Sequence, residues 1–244
     1  MSDDTPILSV EGLEAGYQRD LPILRNIALS VARNSLTTII GPNGAGKSTL
    51  IKAIAGLVPV NTGTVRLAGV PITGIRPDQM GGLGMSYVPQ TDNIFRTLTI
   101  RQNLALVLRH SPQRDAKTEE LFALFPPLRD KQADKAGSLS GGQRQMLAVA
   151  MALAVDPQLV LMDEPSAGLA PKAAMEVLDL ARGLTERGVS VLLVEQNVAQ
   201  ALRVSDHCYI LAEGSNQIDG PAADIMSDPV VGEIYLGGKR MNTA

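Results

Sequence analysis

Tryptophan is absent from the 244-residue sequence and aromatic residues make up only 3% of it. An aromatic-rich binding surface is therefore not expected. A single cysteine, Cys208, excludes an internal disulfide and fits a reducing compartment. The two histidines, His110 and His207, lie far apart in the chain, and no Cys/His cluster has zinc-site spacing. A basic surplus is also missing. Twenty-two Lys and Arg against 25 Asp and Glu give a net charge of −3, which is not the footprint of a nucleic-acid binder. Long apolar runs are lacking too. The longest, such as 191–194, fall far short of the roughly 18 residues a membrane span needs. The acidic start, 1–12, has no apolar stretch preceded by positive charge, so no signal peptide is expected. The expectation is a soluble chain that can still dock on a membrane protein.

What is present has an ordinary globular balance, with 45% hydrophobic and 19% charged residues. The length suits one large domain or two small ones and allows a large core without disulfides or metal. Glycines (23) and prolines (15) punctuate short β-type runs and longer helical ones. Strands are expected at 7–10, 27–31, 36–40, 64–68, 85–88, 159–162, 189–194 and 208–211. Helices are expected at 47–55, 142–155 and 171–186, the last with Pro at its start and Gly188 at its end. The stretch 99–125 is helix-biased, with Pro126 and Pro127 as a break. Fully apolar strands alternating with helices imply an α/β fold with a largely parallel sheet. No internal repeat or low-complexity tract is seen.

Residues 41–49 read Gly-Pro-Asn-Gly-Ala-Gly-Lys-Ser-Thr and match G-x-x-x-x-G-K-[ST] at Gly41, Gly46, Lys47 and Ser48. The match follows an expected strand and opens an expected helix, which is the context the motif requires. Glycines let backbone N–H groups wrap phosphates, and the helix N-terminus adds partial positive charge. Lys47 can reach the β- and γ-phosphates, and the Ser48 hydroxyl can bind Mg²⁺. Further on, an apolar strand ends in Asp163 and Glu164, followed by Pro165. Ligands of open α/β sheets sit at such carboxyl ends. Asp163 suits a Mg²⁺ shell, through water, and Glu164 suits polarising an attacking water as a general base.

Residues 139–143 read Leu-Ser-Gly-Gly-Gln, 20 residues before the acidic strand, and open a long helix. A chance match to five fixed positions is on the order of one in ten thousand for this length. The sequence resembles the ATP-binding-cassette (ABC) ATPase family, whose signature this pentapeptide is. The resemblance runs from about Ile7 to Gly238. It implies a P-loop NTPase fold with a mostly parallel core sheet, an antiparallel β subdomain and an inserted α-helical subdomain. It also implies one nucleotide-binding domain over 1–244, with the helical subdomain at about 91–155. In the family the signature binds the γ-phosphate of ATP held by the opposite subunit. Ser140, Gly141, Gly142 and Gln143 offer a hydroxyl and N–H groups at a positive helix end, in keeping with that role. By the same resemblance, Gly41, Pro42, Asn43, Gly44, Ala45, Gly46, Lys47, Ser48 and Thr49 bind the phosphates. Tyr17 resembles the aromatic that stacks on adenine. Gln90 resembles the glutamine that touches Mg²⁺ and the lytic water, so Ser48, Gln90 and Asp163 form the implied metal set. Glu164, Gln90 and Gln196 form the implied catalytic set, with ATP and Mg²⁺ as the bound species.

Two positions depart from the family pattern. The stretch after the acidic strand usually reads Ser-Ala-Leu-Asp, but here Ala170 takes the aspartate's place and one cross-dimer polar contact is lost. The family's switch histidine is replaced by Gln196, which can hydrogen-bond a γ-phosphate but carries no positive charge. Gly-Leu-Ala-Pro at 168–171 and Val-Glu-Gln-Asn at 194–197 resemble one branch, the ATPase subunits of branched-chain amino-acid importers and their urea-importer relatives. The ending at 234–238 resembles the closing segment of the same branch. In those systems two different ATPase subunits pair on two permease subunits, and this chain resembles the shorter one.

The resemblance therefore implies a peripheral motor subunit at the cytoplasmic face of the inner membrane. Its implied partners are membrane permease subunits, a second ATPase subunit and, indirectly, an external substrate-binding protein, but no nucleic acid. Residues 93–96, just after Gln90, are the expected permease contact, while 104–108 is expected to be helix core. Arg109, Arg114, Lys131 and Lys135 are expected on a solvated face, and Cys208 in core packing. DNA-handling ABC ATPases are excluded, because only 92 residues separate Lys47 from Ser140 and no heptads run through them. Translation-factor ABC proteins carry two cassettes, a linker and a basic balance, none of which is seen here. A plain kinase or GTPase would lack the pentapeptide.

Overall fold

Five short, almost wholly apolar segments carry the architecture, since each must bury both faces. A computed structural model describes residues 5–18, 20–228 and 231. The described strands are β1 Leu8–Ala15, β2 Leu24–Val31, β3 Leu36–Ile40, β4 Val60–Leu67, β5 Val70–Pro71, β6 Met85–Val88, β7 Leu159–Asp163, β8 Ser190–Val194, β9 His207–Ala212 and β10 Ser215–Pro221. The helices are α1 Lys47–Ile54, α2 Ile100–Val107, α3 Arg114–Leu124, α4 Pro126–Arg129, α5 Gly141–Leu153, α6 Pro171–Thr185, α7 Val198–Val204 and α8 Ala222–Ser227. A six-stranded sheet has the order β10-β9-β3-β8-β7-β6. Its five strands from β9 to β6 are parallel, and β10 pairs antiparallel at one edge. A separate antiparallel sheet has the order β2-β1-β4-β5. This is the P-loop NTPase arrangement, as expected.

The period of two in the parallel strands feeds two cores. Leu159 and Leu161 of β7, with Leu192 and Val194 of β8, pack with α1 and the antiparallel sheet. Val160, Met162, Val191 and Leu193 face the other way, onto α5 and α6 and the helices α2 to α4. Burial on both sides is why these strands read as unbroken apolar runs. A third cluster joins Ile40, Cys208 and Ile210 to α7 and α8.

Most expected elements form within a few residues of their expected bounds, and the differences have physical causes. The helix-biased stretch 99–125 is not one helix. It splits into α2, a tight turn at Leu108–His110, and α3, with Pro112 between them. Ser111, ahead of that proline, is extended, as the ring of a following proline requires. Pro126 and Pro127 end α3 but also open α4, taking first-turn positions where a missing N–H costs nothing. β5, β10, α7 and α8 were not expected. β10 is a half-exposed polar edge without alternation, and α7 and α8 are too short for a helical period to show. The motif at 234–238 lies outside the described residues.

Most of the lesser residues stand where expected, but Leu106, within the stretch 104–108 expected to be helix core, faces outward because only the ends of that stretch share the buried face. Leu104 and Leu108 are buried in the helical core. Cys208 is fully buried on β9. Arg109, Arg114, Lys131 and Lys135 are exposed. Among the described residues no helix is long and apolar enough to cross a membrane.

Candidate functional site

β3 ends at Ile40 and α1 begins at Lys47, and the six residues between them form a cradle. Gly41 has φ +150°, and a Cβ there would lie 2.0 Å from the Leu211 carbonyl oxygen. Gly46 caps α1 at φ +99°, and a Cβ there would meet Leu24 at 2.8 Å. Both positions demand glycine. Gly46 brings no capping side chain, so the first N–H groups of α1 are left for an anion. Lys47 is only 4% exposed. Its ammonium donates to the carbonyls of Gly41 (2.9 Å) and Pro42 (3.1 Å). Among the described residues it makes no ion pair within 4 Å. Burial lowers its pKa, while Glu164, Asp163 and Glu195 pull the other way. A buried cation bonded only to carbonyls is a fit for phosphate oxygens. An open cavity of about 260 Å³ is lined by residues 43–49, Ile23 and Glu164.

The carboxyl end of β7 delivers the acids to this cradle. Asp163 is 2% exposed and held on both oxygens. The Ser48 hydroxyl donates to Oδ1 at 2.9 Å, and the Tyr87 hydroxyl to Oδ2 at 3.2 Å. Burial first, then Asp163, and last Tyr17 raise the Tyr87 phenol above its ordinary pKa, so it remains a donor. Gln90, two residues past β6, donates its amide to Glu164 Oε2 at 2.9 Å. Ser48, Asp163 and the side-chain oxygen of Gln90 are hard oxygen donors. One carboxylate with phosphate oxygens and water is a set that suits Mg²⁺. Among the described residues no group of three His, Cys, Asp or Glu is placed to hold a metal ion.

Glu164 has φ +46°, a left-handed backbone that is uncommon for a non-glycine residue. Its N–H donates to the Val194 carbonyl at 2.9 Å, tying the ends of β7 and β8 together. Beyond Val194, Glu195 is 1% exposed and Gln196 is exposed. The Gln196 amide donates to the side chain of Asn43 in the cradle. Burial raises the Glu195 pKa, opposed by its bonds from Ser166 and Gln196.

The signature stands apart from this cavity. Ser140 caps α5, its hydroxyl accepting from the Gln143 N–H (3.3 Å) while Gln143 Oε1 accepts from the Ser140 N–H (3.2 Å). Ser140, Gly141 and Gly142 line a different cavity of about 450 Å³ with Gln90 and residues 167–170. The structure thus gathers residues 41–49, Gln90, Asp163, Glu164 and Gln196, and leaves 140–143 outside the cradle's own lining. Tyr17 is 58% exposed, just past the end of β1. Ala170 caps α6 without a side-chain bond, where the family pattern has aspartate. Sequence reasoning gave no role to Tyr87, Ile23 or Glu195. Tyr87 lies three residues before Gln90, and Glu195 sits beside Gln196. Adjacency was the only signal available.

The family described as ABC transporter matches residues 24–167. The chain belongs to that family, and it is the ATP-binding, ATP-hydrolysing type of subunit. It is 41% identical over 228 residues to the probable branched-chain amino acid transport ATP-binding protein LivF of Archaeoglobus fulgidus, covering 92% of this chain and 96% of that one. It is 34% identical over 237 residues to the lipopolysaccharide export system ATP-binding protein LptB of Acidithiobacillus ferridurans, covering 95% and 97%. Among solved structures it is similar to the ADP conformation of MJ1267, an ATP-binding cassette of an ABC transporter. That likeness has a TM-score of 0.84 at 30% identity and covers 96% of this chain and 99% of that one.

Proposed function

We propose that this chain is the motor subunit of a membrane importer for branched-chain or related amino acids. Its whole length, 1–244, is one nucleotide-binding domain with a helical subdomain at about 91–155. The observation that carries the motor reading is the buried, unpaired Lys47 in a glycine cradle beside the Ser48–Asp163 and Gln90–Glu164 pairs. The substrate class is supported by the likeness at 168–171 and 194–197 and by the relative named for amino-acid transport.

In the proposed mechanism the N–H groups at 41–49 and the Lys47 ammonium embrace the phosphates of ATP. Ser48, Gln90 and Asp163 would hold Mg²⁺, which would supply charge neutralisation for the transferring phosphate. Glu164 takes a proton from water in line with the γ-phosphate, and Gln90, bonded to it, orients that water. Gln196 donates a hydrogen bond toward the γ-phosphate in place of a histidine. Tyr17 stacks on adenine. Ser140–Gln143 complete the site of a second ATPase subunit across the dimer, since they lie outside this chain's own cradle. Closure around two ATP drives the permease, because ATP binds the closed state more tightly than the open one. The chain works as a peripheral subunit on the cytoplasmic face of the inner membrane. Residues 93–96 meet the permease, and an external binding protein supplies the solute.

Deletion of the gene is expected to abolish uptake of labelled leucine, isoleucine or valine, and the wild-type gene to restore it. Loss of urea uptake instead would move the chain to the short-amide branch. A lipopolysaccharide export defect would refute import. In the purified transporter, Glu164→Gln is expected to lower ATP turnover by about 100-fold or more. Unchanged turnover would remove Glu164 from its assigned role.

A further inference from the structure

The switch position and the acidic loop meet at a residue to which neither the motif nor the family likeness gave a role. Glu195 is 1% exposed. Its Oε1 accepts the Ser166 N–H at 3.0 Å, and its Oε2 accepts the Gln196 N–H at 3.2 Å. Its own N–H donates to the Ile39 carbonyl of β3 at 3.2 Å, close to where that strand enters the phosphate cradle. The carboxylate thus joins the loop after Glu164 to the residue that reaches Asn43, and the Glu195 backbone ties both to the strand feeding the cradle.

Its placement bears on the strained residue. Glu164 holds a left-handed backbone at φ +46°. Such a conformation is held by the structure around it, here including the Ala167 N–H bond to the Glu164 carbonyl at 3.1 Å. On one side is the Glu164 N–H bond to Val194, and on the other is the Ser166 N–H bond to Glu195. The same carboxylate fixes the backbone of Gln196. Both oxygens of this one buried side chain are used to meet backbone N–H donors on two different segments, which a merely packing residue would not do.

We propose that Glu195 is a positioning residue for hydrolysis: it locks the Ser166 and Gln196 backbones together, so that Glu164 and Gln196 are presented to the γ-phosphate as one unit. This rests on the ATPase reading of the same site. Glu195 lies outside the lining of the phosphate cavity and acts through Ser166 and Gln196. Glu195→Gln keeps the shape and one oxygen acceptor but turns an NH₂ group toward one of the two N–H donors.

The test compares wild-type and Glu195→Gln chains in two ways. In the transporter purified through the tagged chain, kcat for ATP is expected to fall about tenfold or more while KM stays within about twofold. In the full-length chain alone, hydrogen exchange is expected to quicken in peptides covering 164–168 and 195–200 and nowhere else. Unchanged kcat, or faster exchange spread over the whole chain with KM and kcat moving together, would overturn the proposal. Should the variant fail to assemble, the exchange pattern of the chain alone still decides between these outcomes. A wild-type transporter without ATP turnover would instead fault the ATPase reading.

Discussion

Tyr87→Phe probes the acidic end of β7 with the least disturbance. The ring keeps its place on β6, and only the hydroxyl that donates to Asp163 Oδ2 at 3.2 Å is lost. Asp163 is 2% exposed, so water cannot freely replace that donor. Hydrogen bonds to charged groups contribute roughly 1.5–3 kcal/mol, and leaving a buried acceptor unmet costs a similar amount. The length is beyond the usual range for a hydroxyl donor, which argues for the lower end, about 1.5 kcal/mol. For a chain of this size that lowers Tm by about 3–5 °C. The second half of the prediction is sharper. If Asp163 joins Ser48 and Gln90 around Mg²⁺, the cation offsets the orphaned oxygen when Mg-ADP binds. The Tm deficit is then expected to shrink in saturating Mg-ADP. Thermal unfolding of both proteins, with and without Mg-ADP, gives the four values needed. An unchanged Tm in the absence of nucleotide would refute the accounting at Asp163. An equal deficit with and without Mg-ADP would refute the metal assignment.

Three other outcomes are expected. Lys47→Ala, which deletes the one buried ammonium bonded to Gly41 and Pro42, should weaken nucleotide binding by on the order of 100-fold, read by titration with a fluorescent ATP analogue; retained affinity would count against the cradle. Glu164→Gln in Mg-ATP should double its mass in light scattering, alone or when mixed with the second ATPase subunit. No association in either case would refute the idea that Ser140–Gln143 complete a partner's site. Burial pushes the Cys208 thiol up to about 12, so at pH 8 it stays protonated and shielded. It should resist a thiol reagent in the native chain and react once unfolded, whereas rapid native labelling would contradict its place in the core.

Chemistry that depends on consecutive residues was legible in the sequence. The cradle at 41–49 needs glycines at set spacing to reach left-handed backbone, so its composition already carries its conformation. The signature carries its own helix cap in Ser140 and Gln143. The apolar runs of β3, β7 and β8 announce a sheet buried on both faces. Other features depend on residues far apart in the chain, and only packing brings them together. Tyr87 meets Asp163 because β6 and β7 lie side by side in the sheet. Glu195 meets Ser166 because β7 and β8 are neighbours whose ends are tied by Glu164 and Val194. β10 exists because β9 offers it an edge, not because its own polar sequence favours a strand. The local motifs specify which atoms can hold a phosphate, since backbone reach is set within a few residues. Strand order decides which carboxylate, phenol and amide stand next to it, because those side chains come from segments 74 to 153 positions apart along the chain.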